Sequence, residues 1–173
     1  LIKKKLGKIK NVKFIKNREY KSSNMVKSAF LPKKKIGKSD VIICYGDIIF
    51  DKQIIKKMIE LKGNKNLIPL YSNWLSYWKK RMPINKIKND AENVVTKNRK
   101  ILSIGKKIKK KYPKFQFMGL IKLNNKSYRN LSNFFKFKNK KIDFTNFLDQ
   151  AISEKIIELN YFQTNKTWVE IDN

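Results

Sequence analysis

Short continuous apolar runs alternate along this chain with stretches whose apolar residues recur at helical spacing. Residues 10–16 (KNVKFIK) alternate polar with apolar positions, the period of a short half-buried strand. The polar stretch Asn17 to Asn24 predicts a loop, and Met25 to Leu31 is apolar at helical spacing and stopped by Pro32. Val41–Tyr45 (VIICY) is continuously apolar, rich in β-branched residues and bounded by Asp40 and Gly46-Asp47, which predicts a fully buried parallel strand. Asp51 is placed as an N-cap for a helix that carries Ile54, Ile55, Met58, Ile59 and Leu61 on one face and ends at Gly63. Leu67–Tyr71 reads as the next strand.

Beyond Tyr71 the pattern loosens. Asn73–Met82 (NWLSYWKKRM) is aromatic and basic, and Pro83 to Asn93 reads as an excursion away from the core. Ile101–Ile104 and Phe115–Leu123 predict strands with a lysine-rich loop between them. Tyr128–Phe137 and Thr145–Ile152 carry helical periodicity, and Leu159–Phe162 and Thr167–Ile171 are late strands, the second ending at Asp172. Strands alternating with helices predict an α/β fold, a Rossmann-like mixed and mostly parallel sheet with flanking helices. No internal repeat or linker interrupts the pattern, so one domain over 1–173 is expected.

Composition alone points elsewhere. The formal net charge is +29, which invites a basic nucleic-acid-binding or ribosome-associated reading, since lysines that neutralise phosphates release counterions. Of the 42 basic residues only Arg18, Arg81, Arg99 and Arg129 are arginine, the residue that reads bases bidentately. Lysine, isoleucine and asparagine rise together, as AT-rich coding also produces. Either origin predicts non-specific adhesion to polyanions at low salt. With 41% hydrophobic residues the chain builds a core despite its charge. It has no apolar run of membrane-spanning length and no signal-peptide plan, which suits a cytoplasmic protein. The single cysteine, Cys44, lies in an apolar run and reads as a small buried hydrophobe. Histidine is absent, so any metal must be held by oxygen, which favours magnesium.

Candidate chemistry concentrates at Tyr45-Gly46-Asp47, at the carboxyl end of the strand over 41–45, where open α/β sheets bind ligands. Two readings fit: a carboxylate that holds magnesium on phosphates, or a turn with an aspartate cap. Trp168–Asp172 (WVEID) puts a second carboxylate, Asp172, in the same posture. Two carboxylates sharing one ion suit nucleotidyl transfer.

Several stretches, in order, resemble the nucleotidyltransferase family that makes sugar nucleotides and CDP-alcohols, in particular its phosphocholine or aminoalkylphosphonate cytidylyltransferase-like branch. They are Asn17–Phe30 (NREYKSSNMVKSAF), Val41–Phe50 (VIICYGDIIF), Asn73–Met82 with Asp90-Ala91-Glu92, Ile104–Lys107 (IGKK), Gln116–Lys122 (QFMGLIK) and Trp168–Asp172. The resemblance implies transfer of CMP from CTP to a phosphorylated small alcohol, a phosphonate or a sugar 1-phosphate, with release of pyrophosphate. It implies Asp47 and Asp172 as Mg2+ ligands, Lys107 as the catalytic contact to the acceptor phosphate, and Asn24 on the nucleotide side. It also implies Asp90, Glu92, Trp74 and Gly119 on the acceptor side. Trp74 and Trp78 lie four apart, so core packing and an aromatic wall against a quaternary ammonium are both open. The implied partners are a nucleoside triphosphate and a small phosphorylated or phosphonate substrate. The family's opening strand and glycine-rich triphosphate loop have no counterpart after Leu1. The expectation is therefore a chain truncated at the amino terminus and inactive, or nearly so, without that segment.

Overall fold

A computed structural model describes residues 2–61, 63 and 65–171. In chain order its helices are α1 (Ile2–Leu6), α2 (Met25–Phe30), α3 (Lys33–Ile36), α4 (Lys52–Glu60), α5 (Trp74–Arg81), α6 (Ile84–Asp90), α7 (Asn125–Phe134) and α8 (Phe144–Ser153). Its strands are β1 (Val41–Cys44), β2 (Ile48–Phe50), β3 (Leu67–Tyr71), β4 (Glu92–Lys97), β5 (Lys100–Lys107), β6 (Gln116–Phe117), β7 (Leu120–Leu123), β8 (Asn160–Thr164) and β9 (Trp168–Glu170). A main sheet runs β1-β7-β3-β8-β5-β4 with β6 on β3, and β2 pairs β9 in a two-stranded ribbon.

The sheet is mixed. β3 pairs β8 in parallel, and the other described ladders are antiparallel. The pairings make β1, β3, β8 and β4 run one way and β5, β6 and β7 the other. β3 is buried at every position, as a strand covered on both faces must be, and Pro69 sits within it. One apolar cluster joins β3, β5 and β7 to α2, α7 and α8 through Val26, Ile68, Ile104, Ile121, Leu131, Phe147 and Leu148. A second lies on the other face, where Ile54 and Met58 of α4 meet Trp74, Trp78, Ile87, Met118 and Trp168. Burying side chains such as Ile54 and Met58 stabilises the fold by about 1.5–3 kcal/mol each. Asp51 begins α4 by accepting the Gln53 N–H at 2.8 Å, a cap worth about 1 kcal/mol.

Four local expectations are corrected. Residues 10–16 form no strand; they run as exposed irregular chain, because they have no paired neighbour to satisfy a ladder. The strand over 41–45 is shorter, half-buried and antiparallel to β7 at the edge of the sheet, and its Cys44 is exposed. Residues 83–93 are not an excursion: α6 puts Ile87 fully into the second cluster. The single strand expected over 115–123 is split by Met118-Gly119, where Gly119 takes φ +73°. That left-handed conformation ends β6 and lets the chain re-enter the sheet as β7.

Candidate active site

Two cavities adjoin at the carboxyl end of β1, and Met25, Tyr45 and Phe144 line both. Asp47 lies in the first, a cavity of about 320 Å³, with Ile43, Cys44 and Gly46 of the β1 edge and Ser28 and Ala29 of α2. The second, of about 310 Å³, is acidic: Asp90, Glu92, Asp143 and Glu170 line it with Gln116, Gly119, Thr145, Trp78 and Trp168. A concentration of carboxylates on a chain of net charge +29 cannot come from composition.

The wall between the cavities depends on one glycine. A Cβ at Gly119 would stand 2.9 Å from ring atoms of Tyr45, and the Gly119 carbonyl accepts the Tyr45 N–H at 3.0 Å. The bare backbone is what lets the tyrosine ring lie flat on this strand break. Phe117 and Phe144 then hold Tyr45 edge-on at 5.8 and 6.0 Å. Burial, together with the charges of Glu92, Asp143, Asp47 and Glu170, pushes the Tyr45 phenol well above its ordinary value. It therefore stays a neutral donor.

Each carboxylate of the acidic cavity is held differently. The Trp78 indole N–H donates to Asp90 at 2.6 Å. Glu170 meets Arg81 at 3.6 Å, and the guanidinium lies 5.2 Å from the ring centres of both Tyr77 and Trp78. Asp143 caps α8, taking the Asn146 N–H at 2.8 Å and its side-chain amide at 2.7 Å. Burial raises the Asp143 pKa, but the bonds from Asn146 and Thr145 outweigh it and hold the carboxyl below its ordinary value. Glu92 is the least compensated. Burial raises its pKa, Asp143 and Glu170 raise it further, and only the Thr145 hydroxyl opposes them. That hydroxyl lies 2.7 Å from Glu92 and 3.1 Å from Asp143, and its single proton serves one at a time. Gln116, buried, fixes the Glu92 backbone by bonding both its N–H and its carbonyl.

Asp172 lies outside the described residues, yet the chain leading to it is placed. Ile48 faces Glu170 in the β2–β9 ladder, and the Ile171 N–H donates to the Asp47 carbonyl at 2.7 Å. Burial raises the Glu170 pKa, Arg81 opposes it, and the charges of Asp47 and Asp90 add to the rise. Lys107 ends β5 directly across from Glu92 on β4, exposed, while Lys106 is drawn to Asp149 at 3.3 Å. Asn24 caps α2, bonding the Met25 N–H at 2.7 Å and the Lys141 carbonyl at 3.3 Å, and lines neither cavity. Trp74 is in the core, 2% exposed, with its indole N–H on the Pro113 carbonyl. Asp90, Glu92 and Gly119 therefore share a cavity, Asp47 stands next door, and Trp74 is away from both.

Sequence reading passed over Glu170, Asp143, Thr145 and Gln116. Glu170 had a usable signal, since two positions before Asp172 on a strand is the same face. Asp143 and Thr145 read as an ordinary helix start.

Asp47 is the one described carboxylate lining its cavity, and among the described residues no three His, Cys, Asp or Glu side chains gather where they could hold a metal ion. An ion at Asp47 would be completed by phosphates and water, the habit of magnesium.

No protein-family model matches the sequence. It is 28% identical over 189 residues to the CTP:phosphoglutamine cytidylyltransferase of Campylobacter jejuni, covering 99% of this chain and 73% of that protein. The fold matches the inositol-1-phosphate CTP transferase of T. maritima with a TM-score of 0.69 at 18% identity, over 92% of this chain and 59% of that one. It also matches a glucose-1-phosphate thymidylyltransferase structure from Bacillus anthracis, solved with sucrose, with a TM-score of 0.62 at 15% identity, over 91% and 58%. The chain thus spans somewhat under three fifths of the length of these solved structures. The mixed sheet, with an aspartate after its edge strand and an acidic cavity beside it, is an α/β fold similar to that of these two solved structures. The sequence is similar to that of a cytidylyltransferase, and the fold is similar to that of two solved nucleotide-transferring enzymes.

Proposed function

We propose that this chain carries the metal and acceptor side of a cytidylyltransferase that moves CMP from CTP to a small phosphorylated acceptor bearing a cationic group. The observation that carries this reading is the pair of adjoining cavities, one with Asp47 and the other acidic, divided by Tyr45 on Gly119. The match to a cytidylyltransferase over nearly the whole chain supports it.

An anionic phosphate oxygen of the acceptor attacks the α-phosphorus of CTP in line. A P–O bond forms there, the α–β bridging P–O bond breaks, and pyrophosphate leaves with the electron pair. The attacking oxygen needs no general base, so the protein's task is position and charge neutralisation. Asp47 and Asp172 are the ligands for magnesium, which when bound offsets negative charge on the phosphates. Lys107 supplies a point charge to the acceptor phosphate beside the acidic cavity. Glu92 faces the acceptor's cationic group as an opposite charge, which offsets the burial of its own. Asp90 and Glu170, held by Trp78 and Arg81, set the potential around it. The protein acts in the cytoplasm.

The test is pyrophosphate release from CTP and magnesium by the protein expressed from its natural start, with phosphoethanolamine, phosphocholine and a neutral sugar phosphate as acceptors. The proposal expects turnover with a cationic acceptor and its loss in Asp47→Asn. Turnover restricted to a neutral acceptor would remove the role assigned to Glu92.

A further inference from the structure

The far side of the sheet carries a second charged surface that the transfer reaction does not use. In β8, Asn160 donates its N–H to the Asn66 carbonyl and Thr164 accepts the Ser72 N–H, so the even-numbered residues bond to β3. The alternation turns the backbone groups of Tyr161 and Gln163 to the opposite side. There Tyr161 donates to the Arg99 carbonyl at 3.1 Å, and the β5 ladder ends at the Lys100–Asn160 pair. Beyond that point no described strand pairs with the outer edge of β8.

Two contiguous cavities follow this edge and share Lys57, Phe162 and Gln163. Their apolar floor comes from α4 and its end, through Ile55, Ile59 and Leu61, and from Phe162 of β8. Ile59 is 64% exposed and Leu61 40%, large apolar side chains left open along one line. The rim is cationic, with Lys52, Lys56, Lys57, Lys65, Arg99 and Lys166; the one acid lining it, Glu60, is within 3.8 Å of Lys56.

Arg99 is unusual in two ways. Lysine is this chain's default cation, and arginine stands here instead. It also occupies the second position of the two-residue β4–β5 turn, with Asn98 at φ 49° and Arg99 at φ 60°. Such turns favour asparagine then glycine, so arginine holds a strained backbone at the mouth of the groove.

We propose that the β8 edge is a docking groove for an extended acidic segment of a partner protein, added as a strand. Outward backbone groups of β8 bond the incoming chain, alternate apolar side chains settle on Ile55, Ile59, Leu61 and Phe162, and intervening carboxylates meet the cationic rim. A second copy of this chain is disfavoured by its own charge of +29. A nucleic acid brings phosphates but neither a strand backbone nor side chains for the apolar floor.

The test is fluorescence anisotropy with a labelled synthetic peptide alternating glutamate and valine. Saturable binding is expected, weakened about tenfold or more by Ile59→Asp, Arg99→Glu or N-methylation of alternate peptide amides. Arg99→Gly gives a discriminating readout: relief of the turn strain raises Tm while binding weakens. The proposal is overturned if the peptide does not bind saturably. It is also overturned if polyglutamate or single-stranded RNA binds as tightly and the substitutions change nothing, which would leave a non-specific polyanion surface.

Discussion

The acidic cavity and the cationic β8 groove lie in one chain of net charge +29, and they show how differently a charge excess is to be read in two places. Along the groove, lysines follow the composition, and only Arg99 and the apolar floor set the surface apart. Inside the cavity four carboxylates gather against the composition: Trp78 holds Asp90, Arg81 holds Glu170 and Asn146 holds Asp143, while Glu92 has only the shared Thr145 hydroxyl. A charge that runs with the average needs a second feature before it means anything, whereas one that runs against it is already informative.

The largest effect expected on the cavity side is at Asp47. Asp47→Asn should lower turnover by roughly 100- to 1,000-fold, since it removes the carboxylate proposed to hold the magnesium that would offset charge on the reacting phosphates, while circular dichroism stays unchanged. Glu92→Gln should raise KM for a cationic acceptor by about tenfold and leave a neutral acceptor unaffected, the loss of one opposite charge beside it.

The same substitution carries a stability signature of definite sign. Glu92 has a raised pKa, chiefly from burial, so the folded chain holds that proton more tightly than the unfolded chain. Its favourable contribution is present below the ordinary glutamate value of 4.5 and is lost as pH rises through the raised folded value. Glu92→Gln should therefore gain Tm over the wild type as pH moves from acid to neutral. A Tm difference independent of pH would show that Glu92 is charged without strain.

Gly119→Ala tests the dividing wall. It places a Cβ 2.9 Å from the Tyr45 ring at φ +73°, and should destabilise by about 1–3 kcal/mol in chemical denaturation. The smallest effect is expected at Lys56, whose pair with Glu60 is exposed on both sides. Lys56→Ala should change stability by no more than about 0.5 kcal/mol, the behaviour of composition-driven surface charge.

Much of the framework was legible because it rests on local rules. Asp51 caps α4, and the apolar faces of α4, α7 and α8 and the buried β3 follow from periodicity. What failed depended on distant partners. Residues 10–16 alternate like a strand but pair with no described strand, and VIICY reads as a fully buried parallel strand although, among the described strands, only the antiparallel β7 borders it. Ile87 lies in the stretch read as an excursion and is buried in one cluster with Trp74 and Trp78. At the site, Asp90, Glu92 and Gly119 were named from sequence and line one cavity, and Asp47, also named, lines the adjoining one. Trp74 and Asn24 were named too, but one spends its indole on the core and the other its amide on a cap. Thr145 was missed because a helix-start threonine carries no signal until the fold brings it to Glu92, and Glu170 was missed although its spacing from Asp172 offered one.

The most direct test of the central claim is a comparison of acceptors on wild type and Glu92→Gln, measured as pyrophosphate released from CTP with magnesium. The account predicts that wild type prefers an ammonium-bearing phosphate over a neutral one and that Glu92→Gln loses this preference while keeping turnover on the neutral acceptor. An unchanged preference in Glu92→Gln would contradict it.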